Sequence, residues 1–273
     1  MPHSQSATHI VPPIAQHTHT IIFLHGLGSN AAEFQSEFFE SQSSTGLFFP
    51  QLLPSVKWIF PCAPFAYSSS ENDGGRKWFA INSVQTPQDE PETQKPGLES
   101  SKNLLLEVMQ QEARIVGMHN VVLAGISQGC ATAIYTLLTA NPRLEIGGFI
   151  GLCGWVPLAS EVRGIAWEEA WEEVLRGVPV LLQHCVEDDV VPVENGECLK
   201  EVLVGLGMGV EWQCFKAGGE LAHWVKEPEG VDGIVRFVEM IIDRRGEDQK
   251  DLAAGIDSSR FAKGRIRRPG EFE

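Results

Sequence analysis

The chain has 273 residues, of which 43% are hydrophobic and 21% charged. That is the composition of a globular protein long enough for one large domain with a sizeable core. A formal net charge of −15 and a pI near 5.0 argue against nucleic acid as a partner and against loose docking on anionic membrane.

Met1 to Gln16 lacks the basic start and apolar run of a secretory signal. No apolar stretch is long enough to span a bilayer, so integral membrane association is not expected. Six cysteines stand at positions 62, 130, 153, 185, 198 and 214 with no C-x-x-C pair. Several fall in apolar runs, where buried thiols would sit, which points to a reducing, cytoplasmic compartment.

In chain order, residues 1–17 read as a flexible lead. Thr20 to Leu24 is a buried strand ended by His25-Gly26-Leu27-Gly28, and Asn30 to Ser41 a helix. Val56 to Phe60 is a second strand. A long polar loop follows, Ser68 to Arg76 and then Asn82 to Pro96, interrupted by Trp78-Phe79-Ala80-Ile81. Leu98 to Val116 has the spacing of an amphipathic helix. Asn120 to Ala124 is a strand and Gln128 to Ala140 the helix after it. Further strands are predicted at Gly148 to Leu152, Val178 to Gln183 and Val210 to Phe215. Helices are predicted at Trp167 to Arg176, Asn195 to Leu206 and Val231 to Arg244. Strands alternating with helices imply an α/β fold with a mainly parallel sheet covered on both faces. Residues 18–244 form the predicted domain, and 245–273, charged and poor in apolar residues, a disordered tail.

The chemical signal is Gly125-Ile126-Ser127-Gln128-Gly129, lying between a strand and a helix. A bare G-x-S-x-G arises by chance in roughly one chain in ten of this size; the strand-then-helix setting makes chance far rarer, because a serine nucleophile must stand on a sharp strand-to-helix turn. There the free N–H groups and dipole of the helix favour a developing negative charge. A serine hydroxyl needs a base. Only His184 and His223 follow Ser127, and His223, in a glycine-rich loop, is better placed to swing over the sheet edge than His184 at a strand end. The acid that orients the imidazole should follow the Val178 strand. Asp188 is the first choice, Asp189 the second, and the unused acids are solvated turn charge. Two backbone donors should hold the oxyanion, the N–H of Gln128 and that of Leu27 in the glycine-bracketed loop.

With these residues, Pro61-Cys62-Ala63-Pro64, Trp78-Phe79, Gly154-Trp155-Val156-Pro157-Leu158, Asp188-x-x-Val191-Pro192 and His223-Trp224 come in an order that resembles the acyl-protein thioesterase/lysophospholipase/carboxylesterase family, over about Thr18 to Ile242. The resemblance implies the α/β-hydrolase fold and no cofactor. It implies deacylation of S-acylated proteins, lysophospholipids or small carboxyl esters. It places nucleophile, acid and base on Ser127, Asp188 and His223, and the oxyanion donors on Leu27 and Gln128. The chain departs from the family pattern at Ala80, where an Asp is common, in the longer Gly218 to Ala222 loop, in the acidic, serine-rich Ser68 to Gly75, and in Ala159 to Gly177 with Trp167 and Trp171.

The expected activity is therefore a serine hydrolase acting on acyl esters or thioesters of a small molecule, lipid or S-acylated protein. Trp78, Phe79, Trp155, Leu158 and Trp224 are the expected acyl-binding side chains. The same five catalytic and oxyanion residues would serve a biosynthetic thioesterase or acyltransferase that passes the acyl group to an alcohol, lactone formation included. A non-enzymatic binder is disfavoured because every part of the machinery is present. His17-Thr18-His19 has no carboxylate or cysteine nearby and reads as strand entry rather than a metal site.

Overall fold

A computed structural model describes residues 8–67, 75–165, 174–216 and 222–253. Its centre is a seven-stranded sheet in the order β1-β3-β2-β6-β7-β8-β9, formed by β1 (His9–Val11), β2 (His19–Leu24), β3 (Val56–Phe60), β6 (Val121–Ile126), β7 (Gly148–Leu152), β8 (Pro179–Cys185) and β9 (Gly209–Phe215). Every pairing is parallel except β1 with β3. The predicted mainly parallel α/β sheet is thus the observed one.

Buried on both faces, the central strands carry unbroken apolar runs whose side chains alternate between two cores. In β2, Ile22 and Leu24 join one cluster while Ile21 and Phe23 join the other; in β6, Val121 and Leu123 oppose Val122 and Ala124. The first core is closed by α3 (Pro91–Val116) through Leu98, Leu105 and Met109, by α4 (Gln128–Thr139), and by α6 (Val193–Gly205). The second is closed by α1 (Ala31–Phe38) through Phe34 and Phe38, by α2 (Phe49–Leu52), and by α7 (Glu229–Ala253) through Ile234, Phe237 and Ile241. Between α4 and α6, α5 (Ala159–Ile165) packs on the first side.

Three expectations are revised. The lead segment contains β1, which adds to the β3 edge. Helix α3 starts at Pro91 rather than Leu98: Pro91 sits in its first turn, where a missing N–H costs nothing, and Pro96 is carried inside the helix. Gly97 is required there, because a Cβ would lie 2.7 Å from the Phe79 Cα. The last helix does not stop at Arg244 but runs to Ala253, into the stretch read as tail; 254–273 lie outside the described residues. So do most of the predicted Trp167 helix and the two loop stretches 68–74 and 217–221. Two short strands, β4 (Phe65–Ala66) and β5 (Arg76–Lys77), pair antiparallel in a separate ribbon tied to the loop after β2 through Gly28 and Ser29.

His17 and His19 meet neighbouring hydroxyls, on Thr20 at 2.9 Å and Thr18 at 3.0 Å. Among the described residues no helix is long and apolar enough to cross a membrane.

Candidate active site

Ser127 caps α4 directly after β6, with φ 55° and ψ −124°. A non-glycine residue in that region costs about 1–3 kcal/mol and persists only where the surroundings over-determine it. Here the Ser127 N–H donates to the Leu152 carbonyl at 2.9 Å, and the Ser127 carbonyl accepts the first helical bond from Ala131 at 3.1 Å. The two flanking glycines have separate steric reasons. A Cβ on Gly125 would come 2.5 Å from the Cys130 nitrogen, and one on Gly129 would come 2.5 Å from the His25 carbonyl oxygen. The first would push α4 off β6, the second would push α4 off the end of β2.

Asp188 lies in the turn after β8 with its side chain fully buried. Its Oδ1 accepts from the N–H groups of Val190 and Val191, both at 2.9 Å. Its Oδ2 lies 2.8 Å from His223 Nδ1 and 3.3 Å from His184 Nε2. Burial works to raise this carboxyl, but hydrogen bonds from His184 and His223, with the His223 charge and the Val191 amide, outweigh it and hold it well below the ordinary carboxylate range. Asp189, the second choice, is exposed, and its carbonyl accepts from the Gln85 side chain at 3.3 Å.

With Nδ1 on Asp188, the His223 ring turns Nε2 to the other side. His223 and Ser127 line one cavity of about 240 Å³, along with Gly26 and Leu27. The His223 loop is steadied from below by Cys153, whose buried thiol lies 3.9 Å from the carbonyls of both Ala222 and Trp224. His184, set aside as the base, is a second donor to the same carboxylate, and it also meets the Val191 carbonyl at 2.9 Å.

Leu27 turns into the cavity because His25 holds the peptide before it. Buried His25 accepts the Ala63 N–H on Nε2 at 3.1 Å. That bond fixes the tautomer: Nδ1 carries the proton and donates to the Gly26 carbonyl at 2.7 Å. In a trans peptide the N–H opposes the C=O, so the Leu27 N–H points away from the His25 ring. Gly28, with φ 85°, completes the turn, and its N–H donates to Arg76 of β5 at 2.9 Å. The Gln128 side chain bridges the Trp78 N–H (2.9 Å) and the Phe79 carbonyl (3.0 Å); the Gln128 N–H is among the first of α4, which have no partner inside the helix.

Burial pushes the His25 imidazole down to about 4, with the nearby Arg76 charge adding to it and the bond to Gly26 opposing it. Because the folded value lies below the unfolded one, the neutral ring stabilises the protein fully above pH 6.5. That contribution, about 3 kcal/mol, is lost as pH falls from 6.5 toward 4. His25→Phe keeps a ring and loses both bonds. We expect kcat to fall about 100-fold with KM little changed, the size of a lost oxyanion donor. Urea titrations at pH 7.5 and 5 should also show a smaller acid destabilisation than in the wild type.

The five expected acyl-binding side chains divide. Trp224 lines the cavity. Trp78, Phe79, Trp155 and Leu158 are instead buried in the first core, since their large apolar area is worth more there than at a solvent-filled cleft. Trp78 uses its indole N–H to hold the His25 carbonyl at 2.8 Å. The apolar wall is made by Phe34, Val84, Ile126 and Val190, of which only Ile126 belongs to a quoted motif, as the variable residue before Ser127.

A hydroxyl on a strand-to-helix turn, a carboxylate-bound imidazole in the same cavity and a backbone donor loop define the class: a serine hydrolase of the α/β-hydrolase fold. Residues 5–240 match the model of the phospholipase/carboxylesterase family, and the chain belongs to that family of serine ester and thioester hydrolases. It is 30% identical to acyl-protein thioesterase 1 of Gibberella zeae over 84% of this chain and 93% of the relative. It is 29% identical to the carboxylesterase SOBER1 of Arabidopsis thaliana, over 82% and 90%. The crystal structure of Zea mays acyl-protein thioesterase 2 superposes with a TM-score of 0.68 at 27% identity, covering 86% of this chain and 99% of that one.

Proposed function

We propose that the chain hydrolyses acyl esters and thioesters through an acyl-enzyme on Ser127. The observation that carries this reading is the 2.8 Å bond from buried Asp188 to His223, on a ring that shares its cavity with Ser127. His223 Nε2 takes the Ser127 proton as the oxygen attacks the acyl carbonyl. The resulting imidazolium is stabilised by Asp188, and the N–H groups of Leu27 and Gln128 receive the oxyanion. His223 then protonates the leaving alkoxide or thiolate, and water activated by the same ring releases the free acid. The acyl chain lies against Phe34, Val84, Ile126, Val190 and Trp224.

The names of the relatives support S-acylated proteins, lipids or small acylated molecules as substrates. Four buried free thiols, at Cys62, Cys130, Cys153 and Cys185, support a reducing cytoplasmic setting. A fluorophosphonate probe should label the purified protein at Ser127, read by peptide mass spectrometry, and the protein should release free butyrate from both p-nitrophenyl butyrate and an S-butyryl thiol. Labelling elsewhere, or no free acid from either substrate, refutes the proposal.

A further inference from the structure

The reactive cavity contains one acid that the chemistry above does not use. Glu37 lies one turn after Phe34 on α1, so both side chains reach the same face, and both line the cavity that holds Ser127 and His223. Among the described residues its carboxylate has no hydrogen bond or ion pair. Glu33, one turn back, is engaged by the Asn30 side-chain amide at 2.9 Å. No lysine or arginine is among the described residues that line the cavity. The nearby Arg76 spends its guanidinium on the carbonyls of Ala63 (2.9 Å) and Pro64 (2.7 Å). Among the described residues that line the cavity, the charged groups are therefore Glu37 and, during turnover, His223.

We propose that Glu37 is a specificity-determining residue that makes the cavity discriminate by charge, favouring acyl esters and thioesters that carry a cation over those that carry an anion. The inference rests on the Ser127 cavity being the acyl-ester site. Burial, then the neighbouring Glu33 and Glu40 charges, make ionisation of Glu37 harder than usual, so a cation entering the cavity relieves an existing repulsion while an anion adds to it. At the separations and screening of a partly open cavity, one such charge is worth a preference of about three- to tenfold. The consequence for substrate class is that acyl groups on quaternary-ammonium or neutral carriers are favoured over those on anionic carriers.

The test uses two matched pairs, each referred to p-nitrophenyl butyrate in the same enzyme. One pair places the charge on the leaving group, butyrylthiocholine against S-butyryl-3-mercaptopropionate. The other places it on the acyl end, p-nitrophenyl 4-(trimethylammonio)butanoate against p-nitrophenyl hydrogen glutarate. For at least one pair, the cation-to-anion ratio of kcat/KM should be three to ten times higher in the wild type than in Glu37→Gln. It should fall further in Glu37→Lys, and the wild-type preference should shrink in 0.5 M salt. Unchanged ratios in both pairs and both variants overturn the role of Glu37 while p-nitrophenyl butyrate is still turned over. If the wild type hydrolyses no ester at all, the hydrolase reading itself fails, and this inference with it.

Discussion

Ser127→Ala is expected to lower kcat for p-nitrophenyl butyrate by about 10⁴- to 10⁶-fold, the loss typical of removing a serine nucleophile, while leaving the fold intact. The variant deletes one oxygen from a nearly buried position and leaves the backbone at φ 55°, a conformation as strained for alanine as for serine. The bonds that enforce it run through the Ser127 N–H and carbonyl, which alanine retains. Thermal denaturation should therefore show a Tm within a few degrees of wild type. Ser127→Gly sharpens the test: it should be equally inactive, yet more stable by about 1 kcal/mol, because glycine relieves the positive φ. Activity lost together with a collapsed Tm in the alanine variant would mean that Ser127 is a structural turn residue. Activity retained would move the nucleophile elsewhere.

The elbow was legible in the sequence because its constraints are local. Gly125 and Gly129 are dictated by backbone approaches within a few residues of Ser127 and at the end of β2, and chain order then leaves two histidines and a short acidic run to choose among. The choice of Asp188 over Asp189 also has a local cause: Oδ1 of Asp188 closes its own turn on Val190 and Val191, which aims Oδ2 inward. The cavity wall was not legible. Phe34, Val84 and Val190 come from three separated segments, and no spacing rule links them. Of the tryptophans in the family pattern, Trp224 lines the cavity while Trp78 and Trp155 are core. A motif tryptophan reports a demanding environment without saying whether that environment is substrate or protein. The start of α3 at Pro91 was likewise not legible from apolar spacing, since Ser101 Oγ ties the helix to the Trp78 carbonyl at 2.6 Å and Gln94 ties it to Pro87 and Asp89. Tertiary bonds there outweigh the propensity cost of Pro96.

Asp188→Asn is expected to lower kcat by about 10⁴-fold without unfolding the chain, through the tautomer of His223. The Val190 and Val191 amides both donate to the Oδ1 position, so an asparagine must place its carbonyl oxygen there. Its NH₂ group then occupies the Oδ2 position, facing His223 and His184. A donor in that place forces His223 to accept on Nδ1 and to carry its proton on Nε2, where it can no longer take the proton of Ser127. His184 keeps its Val191 carbonyl acceptor, so the stability loss should be modest. In the wild type the carboxyl is held well below its usual range, below its unfolded value. The stabilisation from its bonds is therefore complete above about pH 4 and is lost only as pH falls through the depressed folded value. Acidification from pH 8 to 5 accordingly leaves Asp188 ionised, and the 10⁴-fold deficit of the variant should be seen at pH 7.5 and also at pH 6. Asp189→Asn, at an exposed position outside the cavity, is the matched control and should stay within about twofold of wild type. If the control loses activity and Asp188→Asn does not, the acid has been assigned to the wrong member of the pair.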